Sequence, residues 1–219
     1  MRRYHTAIVA VVLAGGLVGG TVLGVATTAW AGPPTEALRK TIDDVIGIVG
    51  DPAWKKPDKK EERRKLLEQI IGQRFNYSEM AKRSLGAEWA KRSPAEQQEF
   101  ATNFQTLLVN TYIGRIEAYS GEKVQYLKEV TNGDYAEIYT HLDNGKSVID
   151  VNYRAKKAST DWRVYDVVVE GTSLVLNYRE QFKRILRKKS FAELSKQIQE
   201  KSVHIKALVP DGSKPAKGE

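Results

Sequence analysis

Four side chains in the second half of the chain have the makings of an acid–base site: Tyr139, His141, Asp150 and Asp166. A carboxylate in an apolar pocket can hold or take a proton near neutral pH, with an imidazole or phenol as its partner. Asp166 shares strand parity with Trp162 and Val164, which would turn it inward. Inward carboxylates are more often paired with a basic residue, here Arg179, than used in catalysis. Elsewhere the sequence has no nucleophile–base spacing and no phosphate-binding glycine loop. With no cysteine, thiol catalysis, thiolate metal sites and disulfides are excluded. The three histidines, His5, His141 and His204, are too far apart to suggest a metal cluster. Lys183, Arg184, Arg187, Lys188 and Lys189 could meet phosphate groups or an acidic partner, although such runs are commonly a solvated helix face.

The formal net charge is +8, and without Arg2 and Arg3 it is +6, from 33 basic and 27 acidic residues. That charge suits anionic lipid headgroups or acidic partners. Nucleic acid is not expected, because the aromatics follow core periodicity instead of interleaving with a basic face. Met1–His5 is a basic start, Ala7–Ala26 an uncharged apolar run, and Ala29-Trp30-Ala31 a small-x-small cleavage pattern. Five glycines in the run weaken an uncleaved membrane anchor. Residues 1–31 are therefore expected to be a cleaved secretory signal, leaving 188 residues from Gly32 in a compartment outside the cytoplasm.

Around the candidate chemistry, the pattern predicts an α+β fold. Thr35 caps a helix whose stripe is Leu38, Ile42, Val45, Ile46 and Val49. A second helix buries Leu66, Leu67, Ile70 and Ile71, and a third follows Asn76 and ends at Gly86. Ser93-Pro94-Ala95-Glu96 is a capping box opening a long helix with Phe100, Phe104, Leu107, Leu108, Tyr112 and Ile116 at helical spacing. The period then changes to two. Lys123–Thr131, Asp134–Leu142, Lys146–Arg154 and Asp161–Glu170 read as four strands, the first three joined by Asn132-Gly133 and Asp143-Asn144-Gly145, strong hairpin signals. The expected result is a twisted four-stranded antiparallel meander for which the long helix is the partner. Gly171 breaks the last strand, and Ser173 caps a helix carrying Leu174, Tyr178, Phe182 and Ile185. A last helix opens at the Ser190–Glu193 capping box and carries Leu194, Ile198 and Ile205. One domain is expected over residues 32–208, with a basic, disordered tail over 209–219.

Three blocks, in order, carry a resemblance: Phe75-Asn76-Tyr77 through Trp89, Phe100 through Tyr112, and Asp161 through Phe182 with Glu170-Gly171-Thr172-Ser173-Leu174 at its centre. Together they resemble the MlaC / toluene-tolerance family of periplasmic auxiliary proteins of phospholipid ABC transport. Asn76 stands where that pattern leads one to expect aspartate. The resemblance implies a cone-like fold akin to nuclear transport factors, with an apolar cavity that holds acyl chains. It implies phospholipid as cargo, no cofactor and no catalysis. The implied partners are an outer-membrane lipoprotein complex and an inner-membrane ABC transporter carrying a lipid-binding domain; a monomer is expected.

With that cavity in view, the candidate lining comprises Leu85, Phe104, Leu107, Leu108 and Tyr112 from helices. Tyr126, Ile138, Val151, Tyr153, Trp162, Val164 and Val168 complete it from the sheet. The same spacings also suit an ordinary packed core. The competing function is a small-molecule enzyme of the cone-shaped isomerase type using Asp166 or Asp150 as acid or base.

Overall fold

The chain is described here over residues 31–200 of a computed structural model. The expected secretory segment through Trp30, Ile205 and the basic tail lie outside the described residues.

Four strands form the expected meander: β1 (Lys123–Asn132), β2 (Tyr135–Asp143), β3 (Val148–Ala158) and β4 (Asp161–Val169). A fifth, β5 (Thr172–Ser173), adds to the edge beyond β4, so the order is β1-β2-β3-β4-β5. Gly171 does not simply end the sheet. Glu170 and Gly171 both have positive φ (47° and 73°), and Val169 pairs with Thr172 across them in a two-residue hairpin. A two-residue strand carries no period, which is why the sequence pattern passes over it.

Before the sheet come α1 (Pro33–Gly50), α2 (Lys60–Arg74), α3 (Tyr77–Leu85) and the 24-residue α4 (Pro94–Glu117). After it come α5 (Leu174–Leu186) and α6 (Phe191–Gln199). The capping boxes of α4 and α6 form as their sequences predict. Asn76 caps α3 by accepting the Glu79 N–H at 3.0 Å, the bond an aspartate would make.

Thr35 is not the cap of α1. Pro33 and Pro34 open that helix, with Gly32 at the cap position. Thr35 instead donates its N–H and hydroxyl to Glu129 Oε2, at 2.9 and 2.6 Å. A carboxylate from β1 thus satisfies the first turn and ties α1 to the sheet. A Cβ on Gly32 would fall 2.1 Å from Glu129 Oε1, so glycine is what lets the carboxylate approach.

The long helix also departs from expectation. Its Phe100, Phe104, Leu107 and Leu108 pack with α3, α5 and α6, while Ile113 joins α1 and α2 around Leu67. Arg63 of α2 pairs with Glu117 at 2.8 Å, and Arg64 donates to Asn110 at 2.7 Å. The partner of α4 is therefore a layer of helices. Helical spacing reveals an apolar face but not what covers it, and α5 and α6 arrive only after the sheet.

Candidate functional site

Paired residues in an antiparallel ladder share a face, so the registers assign every side chain of the sheet. Ile138 pairs with Tyr153, Ala136 with Ala155, Ala155 with Val164, Leu142 with Ile149 and Val124 with Leu142. These residues face α1, whose Leu38 and Ile42 pack on Ala136, Ile138, Ala155 and Val164.

A crease crosses this sheet. β1 bulges between Tyr126 and Lys128, and β4 bulges opposite Arg154 and Ala155. Between them, regular pairing of β2 with β3 lapses from Ile138/Tyr153 to His141/Asp150. There the Thr140 N–H donates to Asn152 Oδ1 at 3.1 Å, and the Thr140 hydroxyl donates to the Val151 carbonyl. Bulges bend and twist a sheet. The β1 bulge and the β2–β3 lapse fall on the same row and divide the inward face into two halves, while the β4 bulge lies about three residues nearer the Gly133 turn.

The half nearer the Gly133 turn is filled. Ile138 and Val164 are fully buried against Leu38, and Trp162 is half-buried beside them. The half nearer the Gly145 turn is not. Val124, Leu142, Ile149 and Val151 face inward there, yet each stays partly accessible and joins none of the packed clusters. Ile46 of α1 shares both properties. Tyr153 stands on the crease. Burial pushes its phenol up to about 12, although the residue remains partly accessible. A side chain ringed by protein and still accessible borders space that other side chains leave unfilled.

The twelve candidate lining residues consequently separate. Leu85, Phe104, Leu107 and Leu108 are buried in the helical core, where Phe104 stands edge-on to Tyr178 at 5.1 Å and Phe182 at 5.8 Å. Tyr112 is half-buried against that core. Val168 pairs with Asn152, on the opposite face from Tyr153 and Val151, because the β4 bulge shifts parity after Val164. Tyr126, Val151 and Tyr153 remain at the partly open half. Val124, Leu142, Ile149 and Ile46 join them; strand parity with Val151 was the signal that could have found Ile149, while Leu142 and Val124 needed the register.

The same bulge corrects Asp166. It pairs with Arg154 on the outward face and does not share the inward side with Val164. Only 3% exposed, it accepts from the Ser173 hydroxyl at 2.6 Å, the Val175 N–H at 3.0 Å and Arg154 Nη1 at 3.2 Å. Its partner is therefore Arg154, and Arg179 lies against Gly86 instead. Asp166 ties β4 to the start of α5. Asp150 and His141 pair at 3.0 Å on the same outward face, and Tyr139 donates to Glu137 at 2.9 Å. The four acid–base candidates share no apolar pocket.

Two clefts lie at the β4 side. One, of about 860 Å³, is lined by Lys65, Glu68, Gln69, Gly72, Gln73, Gln105 and Arg163. Its neighbour, of about 270 Å³, shares Gly72, Gln105 and Arg163 and adds Phe75, the start of α3 and Gln98, Ala101 and Thr102 of α4. The first is lined by charged and amide side chains around Gly72, the second mixes Phe75, Tyr77 and Ala101 with polar neighbours, and none of the twelve candidates lines either.

The chain matches the MlaC protein family over residues 39–200. It belongs to that family. A Haemophilus influenzae protein curated as the intermembrane phospholipid transport system binding protein MlaC is 26% identical over 122 residues, covering 53% of this chain and 57% of that protein. The chain thus spans little more than half the length of that curated relative. The phospholipid-binding protein of Ralstonia solanacearum, solved in complex with a phospholipid, superposes with a TM-score of 0.68 at 22% identity. That likeness covers 80% of this chain and 99% of the other, and it establishes that this family member shares the fold.

Proposed function

We propose that this MlaC family member is a non-enzymatic phospholipid carrier that holds acyl chains against the partly open half of its sheet. Membership of the family over residues 39–200 carries the reading. The names of the Haemophilus relative and of the Ralstonia structure support it. So does an inward apolar face whose Val124, Leu142, Ile149 and Val151 stay accessible. The carrier acts in the periplasm after cleavage behind Ala31, as a monomer. It receives and delivers lipid between an outer-membrane lipoprotein complex and an inner-membrane ABC transporter with a lipid-binding domain.

The energetics suit a carrier better than a tight receptor. One sixteen-carbon chain left in water costs about 11 kcal/mol, at about 0.8 kcal/mol per CH₂. The site does not have to supply that sum, because lipid arrives from a bilayer that is equally apolar. Near parity with the membrane lets the carrier load at one end and release at the other. The isomerase-type alternative has less support, since Asp166 is consumed in tying β4 to α5 and Asp150 is paired with His141 on the outward face.

The test is native mass spectrometry of the protein purified from an exporting host. A mass increment of one phospholipid per chain is expected. Protein that leaves the exporting host with no bound lipid, and takes none from vesicles, would overturn the reading.

A further inference from the structure

Tyr126 lies on the inward face of β1, opposite Thr140 and beside the crease. Its hydroxyl is buried and has no hydrogen-bond partner among the described residues. Burial, first of all, pushes its phenol above the ordinary range, with smaller upward pushes from Tyr153, Asp43 and Glu36 and a downward one from Arg39. It therefore remains an O–H donor. Over its ring, 4.5 Å from the centroid, sits the guanidinium of Arg39 from α1. Arg39 Nε is likewise buried and unbonded; the nearest carboxylate oxygen, Glu36 Oε1, is 3.9 Å away. The side chain as a whole is 41% exposed, so the rest of the guanidinium reaches solvent.

Two idle donors therefore sit side by side, one on the inner wall and one at its rim, and neither has an acceptor in hydrogen-bond range. Buried donors without partners are costly, and a cation stacked on an aromatic ring stays available to an anion at its edge. What completes the pair is an acceptor carrying negative charge, positioned where the apolar face meets water. Phosphate has both properties, and arginine binds it through several N–H groups at once.

We infer that Arg39 and Tyr126 grip the phosphate end of the cargo, with the acyl chains continuing past Tyr153 to Val151 and Ile149. This rests on the carrier reading and adds to it the residues that set retention at the headgroup end. Arg39 is the charged contact; Tyr126 supplies the buried donor and the platform that orients the guanidinium.

The test follows release of copurified phospholipid from the exported protein into acceptor vesicles of phosphatidylcholine. Tyr126→Phe keeps the ring and removes only the hydroxyl, and Arg39→Gln removes the charge. Arg39→Gln is expected to release lipid about tenfold faster or more, the worth of one hydrogen bond to a charged group, and Tyr126→Phe severalfold faster. Release at the wild-type rate in both variants would overturn the inference. If Arg39→Gln fails to fold, Tyr126→Phe alone decides in the same way. Wild-type protein that copurifies with no phospholipid and takes none from vesicles would overturn the carrier reading itself. Titration of that lipid-free protein with inorganic phosphate then separates the two: binding lost in Arg39→Gln upholds the anion site with free phosphate as its ligand, and no binding overturns it.

Discussion

Replacing Val151 with tryptophan is expected to empty the carrier while leaving it folded. Val151 faces inward on the half of the sheet where side chains fail to close the space, and it is partly accessible. A strand position of this kind tolerates an aromatic ring. The indole would occupy room otherwise open to hydrocarbon. Displacing two or three methylenes costs the bound lipid about 2 kcal/mol, or at least tenfold in retention, at about 0.8 kcal/mol per CH₂. Phosphorus per chain should fall about tenfold with little change in Tm. Leu108→Trp should do the opposite. Leu108 is 5% exposed in a core already filled by Phe100, Phe104, Tyr178 and Phe182. Overpacking such a site costs about 1–3 kcal/mol. That lowers Tm by several degrees, at about 2–4 °C per kcal/mol for a chain of this size, while lipid per folded chain stays the same. Paired phosphate assay and calorimetry on the two variants read both outcomes. Equal loss of lipid in Val151→Trp and Leu108→Trp would return the helical core to the lining.

Asp166→Ala should be the most destabilising single change near the sheet, at about 3 kcal/mol. The substitution leaves the Ser173 hydroxyl and the Val175 N–H without their acceptor in a buried setting. Arg154 adds less than a buried ion pair would, because its side chain is 37% exposed and water screens it. The expected fall in Tm is on the order of 10 °C by calorimetry. Asp166→Asn keeps the shape and one acceptor oxygen, so it should cost about half as much. Phospholipid per folded chain should be unchanged in both. A variant of wild-type stability would mean that Asp166 does not hold β4 to α5.

Val151, Leu108 and Asp166 also mark where the sequence was legible and where it was not. The strands were readable because Asn132-Gly133 and Asp143-Asn144-Gly145 carry turn chemistry that few other sequences satisfy. The helix starts at Ser93 and Ser190 were readable for a similar reason, as each cap is a local bond between side chain and backbone. What failed was anything fixed at long range. Parity put Asp166 and Val168 on the inward face, and one bulged residue in β4 reversed both. Thr35 looked like a cap until Glu129, 94 residues away in sequence, supplied the acceptor instead. Leu85, Phe104, Leu107 and Leu108 had the spacing of a buried face, but spacing does not say whether helices or lipid covers it. The partly open half of the sheet was half-legible. Val151 and Tyr153 were named from their alternation, while Leu142 and Val124 needed the register to place them on the same side.

The central claim is positional: acyl chains lie against β1, β2 and β3 on the Gly145 side of the crease. A phospholipid carrying a photoreactive diazirine near the end of one acyl chain tests it most directly, loaded from vesicles, irradiated and mapped by peptide mass spectrometry. The account predicts adducts on Val124, Leu142, Ile149, Val151 or Tyr153. Adducts confined to Phe104, Leu107 and Leu108, or to the outward residues around Asp150 and Asn152, would contradict it.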